Sequence, residues 1–368
     1  MLKRIDQKYL MFAGVILGII VLFIVIILVM SACQGNKKGY SNVELRMQKA
    51  AISYFEKHDK DLPQKDGSTA RVSLEKLVNS GNMPAIDKLV DEGVSCSGEV
   101  NVTNNNEHYI YLPYLNCGKA YKTEKLSEKI IATDELNEVD EGLYESEDED
   151  DVYVFRGENV NNYLTFANKT WRIIRINSDN SIKVIAVDRV EQKEWDNRYN
   201  VDKRFTAGIN DYSVSRIKAY LQELYNSDDF FKDADRSMIK TEDLCVGHRS
   251  ESDLSTDGSV ECSTTFDDQQ IGLIQINEFI TPSLDPNCKA SADHSCSNYN
   301  YLGSFERAYW TITADTATTY MVYYIDGYAS LRQTGNISGV NPVITLTKNL
   351  VYASGDGTLE KPYKIKKY

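Results

Sequence analysis

The chain has 368 residues, is 42% hydrophobic and carries a formal net charge of −13, which is enough length for two domains beyond a terminal segment. The charge is concentrated, because Asp134 to Asp151 holds eleven carboxylates and no basic residue, and removing that block leaves about −2. One acidic block on a near-neutral chain excludes nucleic acid as a partner, since phosphates need clustered Lys and Arg.

The first element is the apolar run Leu10 to Met30, LMFAGVILGIIVLFIVIILVM. As a helix rising about 1.5 Å per residue it reaches across a bilayer's hydrocarbon core. Lys3, Arg4 and Lys8 precede it, which by the positive-inside rule keeps the N-terminus cytoplasmic and the bulk of the chain extracellular, although Lys37 and Lys38 weaken the asymmetry. The length predicts a retained signal anchor, with its flank, over residues 1–33. The alternative is a lipoprotein, because Met30-Ser31-Ala32-Cys33 has the form of a lipobox with Cys33 as the lipidated residue. Six further cysteines fall into locally spaced pairs: Cys96 with Cys117, Cys245 with Cys262, and Cys288 with Cys296. Local pairing predicts three disulfides and an oxidising compartment. Six buried thiols are the competing reading, Zn-type C-x-x-C spacing being absent.

Residues 41–126 form the first exported domain. Ser41 with Glu44 has the form of a capping box, and Val43, Met47, Ala50, Ala51, Tyr54 and Phe55 recur at helical spacing before Pro63. Two shorter helices are predicted, Leu74 to Asn79 and one between Pro84 and Gly93. Glu99 to Thr103 and Tyr109 to Tyr114 alternate around Asn104 to Glu107, a hairpin that a Cys96 to Cys117 bond would close at its base. A membrane helix, an amphipathic helix and a small β unit in this order, with LEKLVNSGNMPAIDKLVDEGVSCSGEVNV and YLNCGKAY as the closest stretches, resemble pseudopilins and the pilin-like surface proteins of Gram-positive bacteria. That resemblance implies a bacterial cell-membrane location. No acid lies between Asp6 and Glu44, where a type IV pilin carries a Glu, so the apolar run reads as a permanent anchor.

Residues 133–151 have too few apolar side chains for a core and predict a solvated acidic linker, with Ca²⁺ binding as a minor alternative that no EF-hand spacing supports. From Val152 the chain is β-rich. Tyr163 to Phe166, Trp171 to Asn177 and Ile182 to Val190 read as strands; Ile217, Tyr220, Leu221 and Leu224 as a helix after Ser213; and Phe231, Ala234 and Met238 as a second short helix. Ile271 to Ile276 reads as an apolar strand between the two Cys-bracketed loops. Ala308 to Thr313, Tyr320 to Ile325, Tyr328 to Gln333 and Val340 to Leu346 complete the strands, with Asp326-Gly327 as a hairpin turn. The class is α+β, closed by pairing of its first and last strands.

Trp171-Arg172-Ile173-Ile174, Ile271-Gly272-Leu273, Tyr309-Trp310-Thr311, Asn341-Pro342-Val343-Ile344 and Ser354-Gly355-Asp356-Gly357-Thr358 resemble a family of bacterial cell-surface domains distantly similar to the C-type-lectin-like fold of formylglycine-generating enzymes. The resemblance implies a C-type-lectin-like domain over residues 152–368.

Chemistry is sparse. His58, His108, His248 and His294 are dispersed without metal-ligand spacing, no phosphate-binding glycine loop occurs, and neither a metal nor a cofactor is expected. Ser73-Leu74-Glu75-Lys76 and Ser215-Arg216-Ile217-Lys218 match S-x-x-K, yet K-T-G is missing, so both serines read as helix starts. No catalytic residue is assigned. Trp195 with Tyr199, and Tyr299 with Tyr301, are the candidate binding residues, because exposed rings stack on sugars or anchor protein partners; core burial is the competing reading. The expectation is a non-enzymatic, membrane-anchored binding or adhesion protein for a glycan, cell-wall or protein ligand, with a pseudopilus-like structural subunit as the alternative and an exported enzyme as a third reading.

Overall fold

The stripe of apolar residues after Lys38 decides where the N-terminal unit places its core. The computed structural model describes residues 37–134, 136–289, 293–305 and 307–368, so Leu10 to Met30 and Cys33 lie outside the described residues. No helix among the described residues is long and apolar enough to cross a membrane. The helix Lys37–Phe55 buries Tyr40, Val43, Met47, Ala50, Ala51, Tyr54 and Phe55 against a three-stranded antiparallel sheet. Those positions recur every three or four residues and so share one face. The sheet joins Thr69–Ser73 to the hairpin Ser97–Asn105 and His108–Asn116. The hairpin turns at Asn106 and Glu107, both with positive φ, and Cys96–Cys117 closes its base.

Three details differ from the sequence expectation. The helix begins at Lys37, so Ser41 and Glu44 sit inside it and form no capping box. The helix expected after Pro84 is only a short 3₁₀ turn, Ile86–Lys88. Thr69–Ser73, which ends on the N-cap of the helix Leu74–Asn79, had no strand signal; its pairing with Ser97–Asn105 over five residues creates it.

The larger unit is α+β and its core begins earlier than residue 152. Leu126 and Ile130 of the helix Leu126–Thr133 are fully buried in it. The stretch expected to be a solvated linker also supplies a strand, Gly142–Glu145, paired antiparallel with Tyr153–Arg156. The reason is two apolar residues within the acidic run. Leu143 is fully buried in the core, and Tyr144 lies with its ring 4.9 Å from the Arg156 guanidinium, while Asp140 and Glu145 on either side stay exposed.

One large sheet runs in the order Val343–Leu346, Ile182–Ala186, Lys169–Ile176, Tyr163–Phe166, Tyr363–Ile365, Tyr352–Ser354, with Tyr153–Arg156 also on Lys169–Ile176. A second runs Ala329–Gln333, Met321–Ile325, Tyr309–Asp315, Ile337–Val340, Glu191–Glu194. The last strand, Tyr363–Ile365, pairs in parallel with Tyr163–Phe166, which is the third strand of the unit and not its first, since Gly142–Glu145 and Tyr153–Arg156 precede it. Asn341-Pro342 divides the single expected strand Val340 to Leu346 into two, one in each sheet, as proline's missing N–H requires. The helix Arg216–Asn226 starts on Ser215, whose hydroxyl accepts from Lys218 N, and the short helix Asp233–Arg236 follows. Ser73 accepts from Lys76 N in the same way, so both S-x-x-K matches are helix caps.

Ile271 to Ile276 is buried but is not a strand. It makes one bridge, Gly272 to Val343, and then enters the helix Ile276–Ile280, where Glu278 accepts from the backbone N–H of Gln275. An apolar run buried on all sides carries no period to separate strand from helix.

The two units are packed together. Ile110, Leu112 and Val351 form a small core between them with Tyr114 and Tyr368. Asn105 Nδ2 donates to the carbonyls of Ser237 and Ile239 at 2.7 and 2.8 Å. At the far end of the chain, Lys366 Nζ pairs with Glu44, which is fully buried and also accepts from the hydroxyls of Tyr121 and Thr123 at 2.6 and 2.5 Å.

Candidate functional site

The four aromatic residues expected to be exposed divide evenly. Tyr199 and Tyr299 are 57% and 58% exposed, whereas Trp195 and Tyr301 are fully buried. Trp195 Nε1 donates to Thr311 O at 3.0 Å, and Tyr301 donates its hydroxyl to Ile173 O at 3.1 Å. Each satisfies its polar atom internally, which is what allows a Trp or Tyr to serve as core. The polar neighbourhood of Trp195 in sequence misleads because its neighbour Asp196 is itself buried, accepting from Arg198 Nε at 2.9 Å and from Ile209 N at 2.8 Å. The structure therefore does not gather the four into one aromatic platform. All six paired cysteines form the expected bonds, Cys96–Cys117, Cys245–Cys262 and Cys288–Cys296.

Among the concave regions of the described residues, two in the larger unit are lined by buried or paired charges. The first is a groove fed by the acidic block, with Glu149, Arg175, Lys183, Asp257, Asn277 and Glu278 on its walls. Both of its cations are paired, Arg175 meeting Glu149 at 2.9 Å and Lys183 meeting Glu278 at 2.5 Å with both side chains largely buried, while Asp148, Glu242, Asp243 and Asp257 leave the walls net negative. Asp257 is held at about 2 by hydrogen bonds from the hydroxyls of Ser255 and Ser259 and from the Ser259 N–H. With each cation matched by a carboxylate of the chain, this groove offers an anionic ligand no unpaired cation among the described residues.

The second region is a cleft of about 450 Å³ at the junction of the two sheets. Its base is Arg172, on the strand Lys169–Ile176 and only 4% exposed. The guanidinium lies between two aromatic rings, 4.2 Å from Tyr163 and 4.5 Å from Tyr301. Nε donates to Asn162 Oδ1 at 2.5 Å, Nη1 to the Tyr163 hydroxyl at 3.1 Å, and Nη2 to Val160 O at 3.1 Å. Every partner is neutral. Among the described residues no Asp or Glu forms an ion pair with Arg172, and burial lowers its pKa, with the two tyrosines opposing. Arginine nonetheless stays charged in proteins. A buried charge usually has a counter-charge, and among the described residues this one has none.

The walls add two more guanidiniums. Arg189 follows the strand Ile182–Ala186, and Gln192 accepts from both its terminal nitrogens at 2.8 Å once the amide is oriented to suit them. Its stem lies over Gly339, where a Cβ would come 2.4 Å from Arg189 Cδ and 2.6 Å from Ala308 O, so the glycine makes room for the arginine. Arg307 stands exposed on the opposite wall, next to the strand Tyr309–Asp315. Asp188 is the one carboxylate among the described residues of the lining, and Asn341 is fixed there by Nδ2 donating to Ala186 O and Val187 O at 3.0 and 3.2 Å.

The sequence motifs carried part of this site without naming it. Arg172 and Asn341 both lie in stretches noted for their resemblance to cell-surface domains. Tyr301, expected as a surface ring, instead supports Arg172 from below. Arg189 and Arg307 had no signal, because they are far apart in sequence and only the crossing of the two sheets brings them to one cleft. No family model, curated protein or solved structure matches this chain in the comparisons with known proteins.

Proposed function

We propose that this chain is a membrane-anchored extracellular binding protein whose larger unit, with its resemblance to the C-type-lectin-like fold, presents the arginine-based cleft to a ligand. The observation that carries this reading is the cleft itself: a polar recess at the sheet junction, of the size that ordinarily accommodates small ligands. Its described lining contains a single carboxylate and neither His nor Cys, a composition suited to holding a group more than to moving a proton. The anchor rests on Leu10 to Met30, and the extracellular location rests on that run together with three disulfides.

The test is a screen of the detergent-solubilised full chain against cell-wall fragments and glycans, repeated with Asn341→Leu to disturb the cleft. Binding that weakens in the variant supports the reading. Unchanged binding, or none to any fraction, overturns it. The pseudopilus-like alternative predicts cross-links between copies through the helix Lys37–Phe55, but the apolar face of that helix is already covered by its own sheet.

A further inference from the structure

The charge of the cleft is the feature the binding reading leaves unexplained. Three guanidiniums, those of Arg172, Arg189 and Arg307, face one recess in a chain whose net charge is −13, and Asp188 alone opposes them there among the described residues. Arg172 is the decisive member. Of an arginine's five N–H groups three are used in the hydrogen bonds to Asn162, Tyr163 and Val160, which leaves one on each terminal nitrogen. Those partners and the two flanking rings fix the plane of the fork before any ligand arrives, so little side-chain entropy is lost on binding. Arg189 is similarly oriented by Gln192, while Arg307 makes no hydrogen bond or ion pair among the described residues and can swing across the opening.

We infer that this cleft binds an oxyanion, the carboxylate or phosphate group of a small polar ligand, with Arg172 as the fixed fork, Arg189 as a second oriented donor and Arg307 as the closing cation. Planar guanidinium forks match both groups in a bidentate manner, and the flanking Asn341 and Ser304 suit the hydroxyls of a sugar or polyol carrying the anion. The inference rests on the binding reading above and adds the chemical class of the ligand. The acidic groove on the same unit supplies the contrast, since its Arg175 and Lys183 are each neutralised by a carboxylate of the chain.

The experiment is calorimetric titration of the detergent-solubilised full chain with three probes at millimolar concentration: a trisaccharide of galacturonic acid, glycerol phosphate, and a neutral galactose trisaccharide. Binding of an anionic probe but not the neutral one is expected, and the two anionic arms decide between carboxylate and phosphate. Affinity should fall as salt is raised. Arg307→Gln and Arg189→Gln, both at partly or fully exposed positions that need not disturb folding, should each weaken binding roughly tenfold, the scale of one charge-assisted hydrogen bond. Arg307→Lys, which keeps the charge and loses the fork, should lie between. Equal binding of the neutral trisaccharide, or no binding of either anion, overturns the oxyanion assignment. If the Gln variants retain the full chain's binding to cell-wall fragments, the assignment also fails while the binding reading stands; if the wild-type chain binds no fragment at all, it is the binding reading that fails.

Discussion

Each unit of this protein buries a carboxylate completely, and the two are neutralised over very different distances along the chain. Glu261, in the larger unit, meets the fully buried Arg249 only twelve residues away, with Nη1 at 2.9 and 3.1 Å from its two oxygens, and accepts from Asn277 N at 3.1 Å. Glu44, in the smaller unit, is held by Tyr121 and Thr123 and by Lys366 from near the end of the chain. The first pair fixes the shape of one loop. The second requires both units to be folded and docked before its charge is compensated, so it links their stabilities.

The largest effect that would sharpen this comparison is reduction of the disulfides. Cys245–Cys262 closes a loop of seventeen residues around the Arg249–Glu261 pair, and Cys96–Cys117 closes the hairpin of the smaller unit over twenty-one. Each bond of this span contributes about 3 kcal/mol by limiting the unfolded chain. A reducing agent should therefore lower the urea midpoint of both units. Thiol titration should find the six paired cysteines unreactive until the bonds are reduced; six thiols reactive in the native protein would exclude the bonds.

Next in size is Glu261→Gln, which removes the nearer of two carboxylates from the buried Arg249 guanidinium, leaves it Asp253 at 3.7 Å, and should cost about 3 kcal/mol. Chemical denaturation followed by tryptophan fluorescence reports it directly, because all three tryptophans, Trp171, Trp195 and Trp310, are in the larger core. A loss below about 1 kcal/mol would mean that the pair is solvated and contributes like a surface bridge. Lys366→Met should cost less, about 2 kcal/mol, since two hydroxyls still serve Glu44. Its distinctive outcome is in scanning calorimetry, where one cooperative transition is expected to separate into two. An unchanged single transition would show that the interface does not depend on the chain's end.

How much of this was legible before the structure follows the same division between local and distant partners. The helix ending at Phe55, the hairpin around Asn104 to Glu107 and the strand pairs near Trp171 all bury residues whose spacing reveals one face. The failures depend on remote partners. Glu44 read as half of a local capping box because its true partners are about eighty and more than three hundred residues away. Gly142–Glu145 read as linker because eleven carboxylates outweigh Leu143 and Tyr144 in any window average. The site is the extreme case, since three arginines separated along the sequence meet only where two sheets cross, and the motif around Arg172 marks a strand without marking a site.

The smallest predicted effect contrasts two carboxylates within one loop. Burial pushes Glu261 above the usual range despite the pull of Arg249, whereas Asp257, four residues earlier and exposed, is drawn down to about 2, first by the Ser255 hydroxyl and then by the hydroxyl and N–H of Ser259. An unfolded Asp titrates near 3.9. The sign for Asp257 follows: its depressed value favours the folded loop above pH about 3.9, and that contribution disappears as pH falls toward about 2. Carboxyl chemical shifts followed by NMR should place the Asp257 midpoint well below that of free aspartate, and Ser255→Ala should raise it while leaving Glu261 unmoved. A normal midpoint would show that the hydroxyls prefer water to Asp257. The loop would then owe its shape to the Cys245–Cys262 bond and the Arg249–Glu261 pair without help from its own side-chain turns.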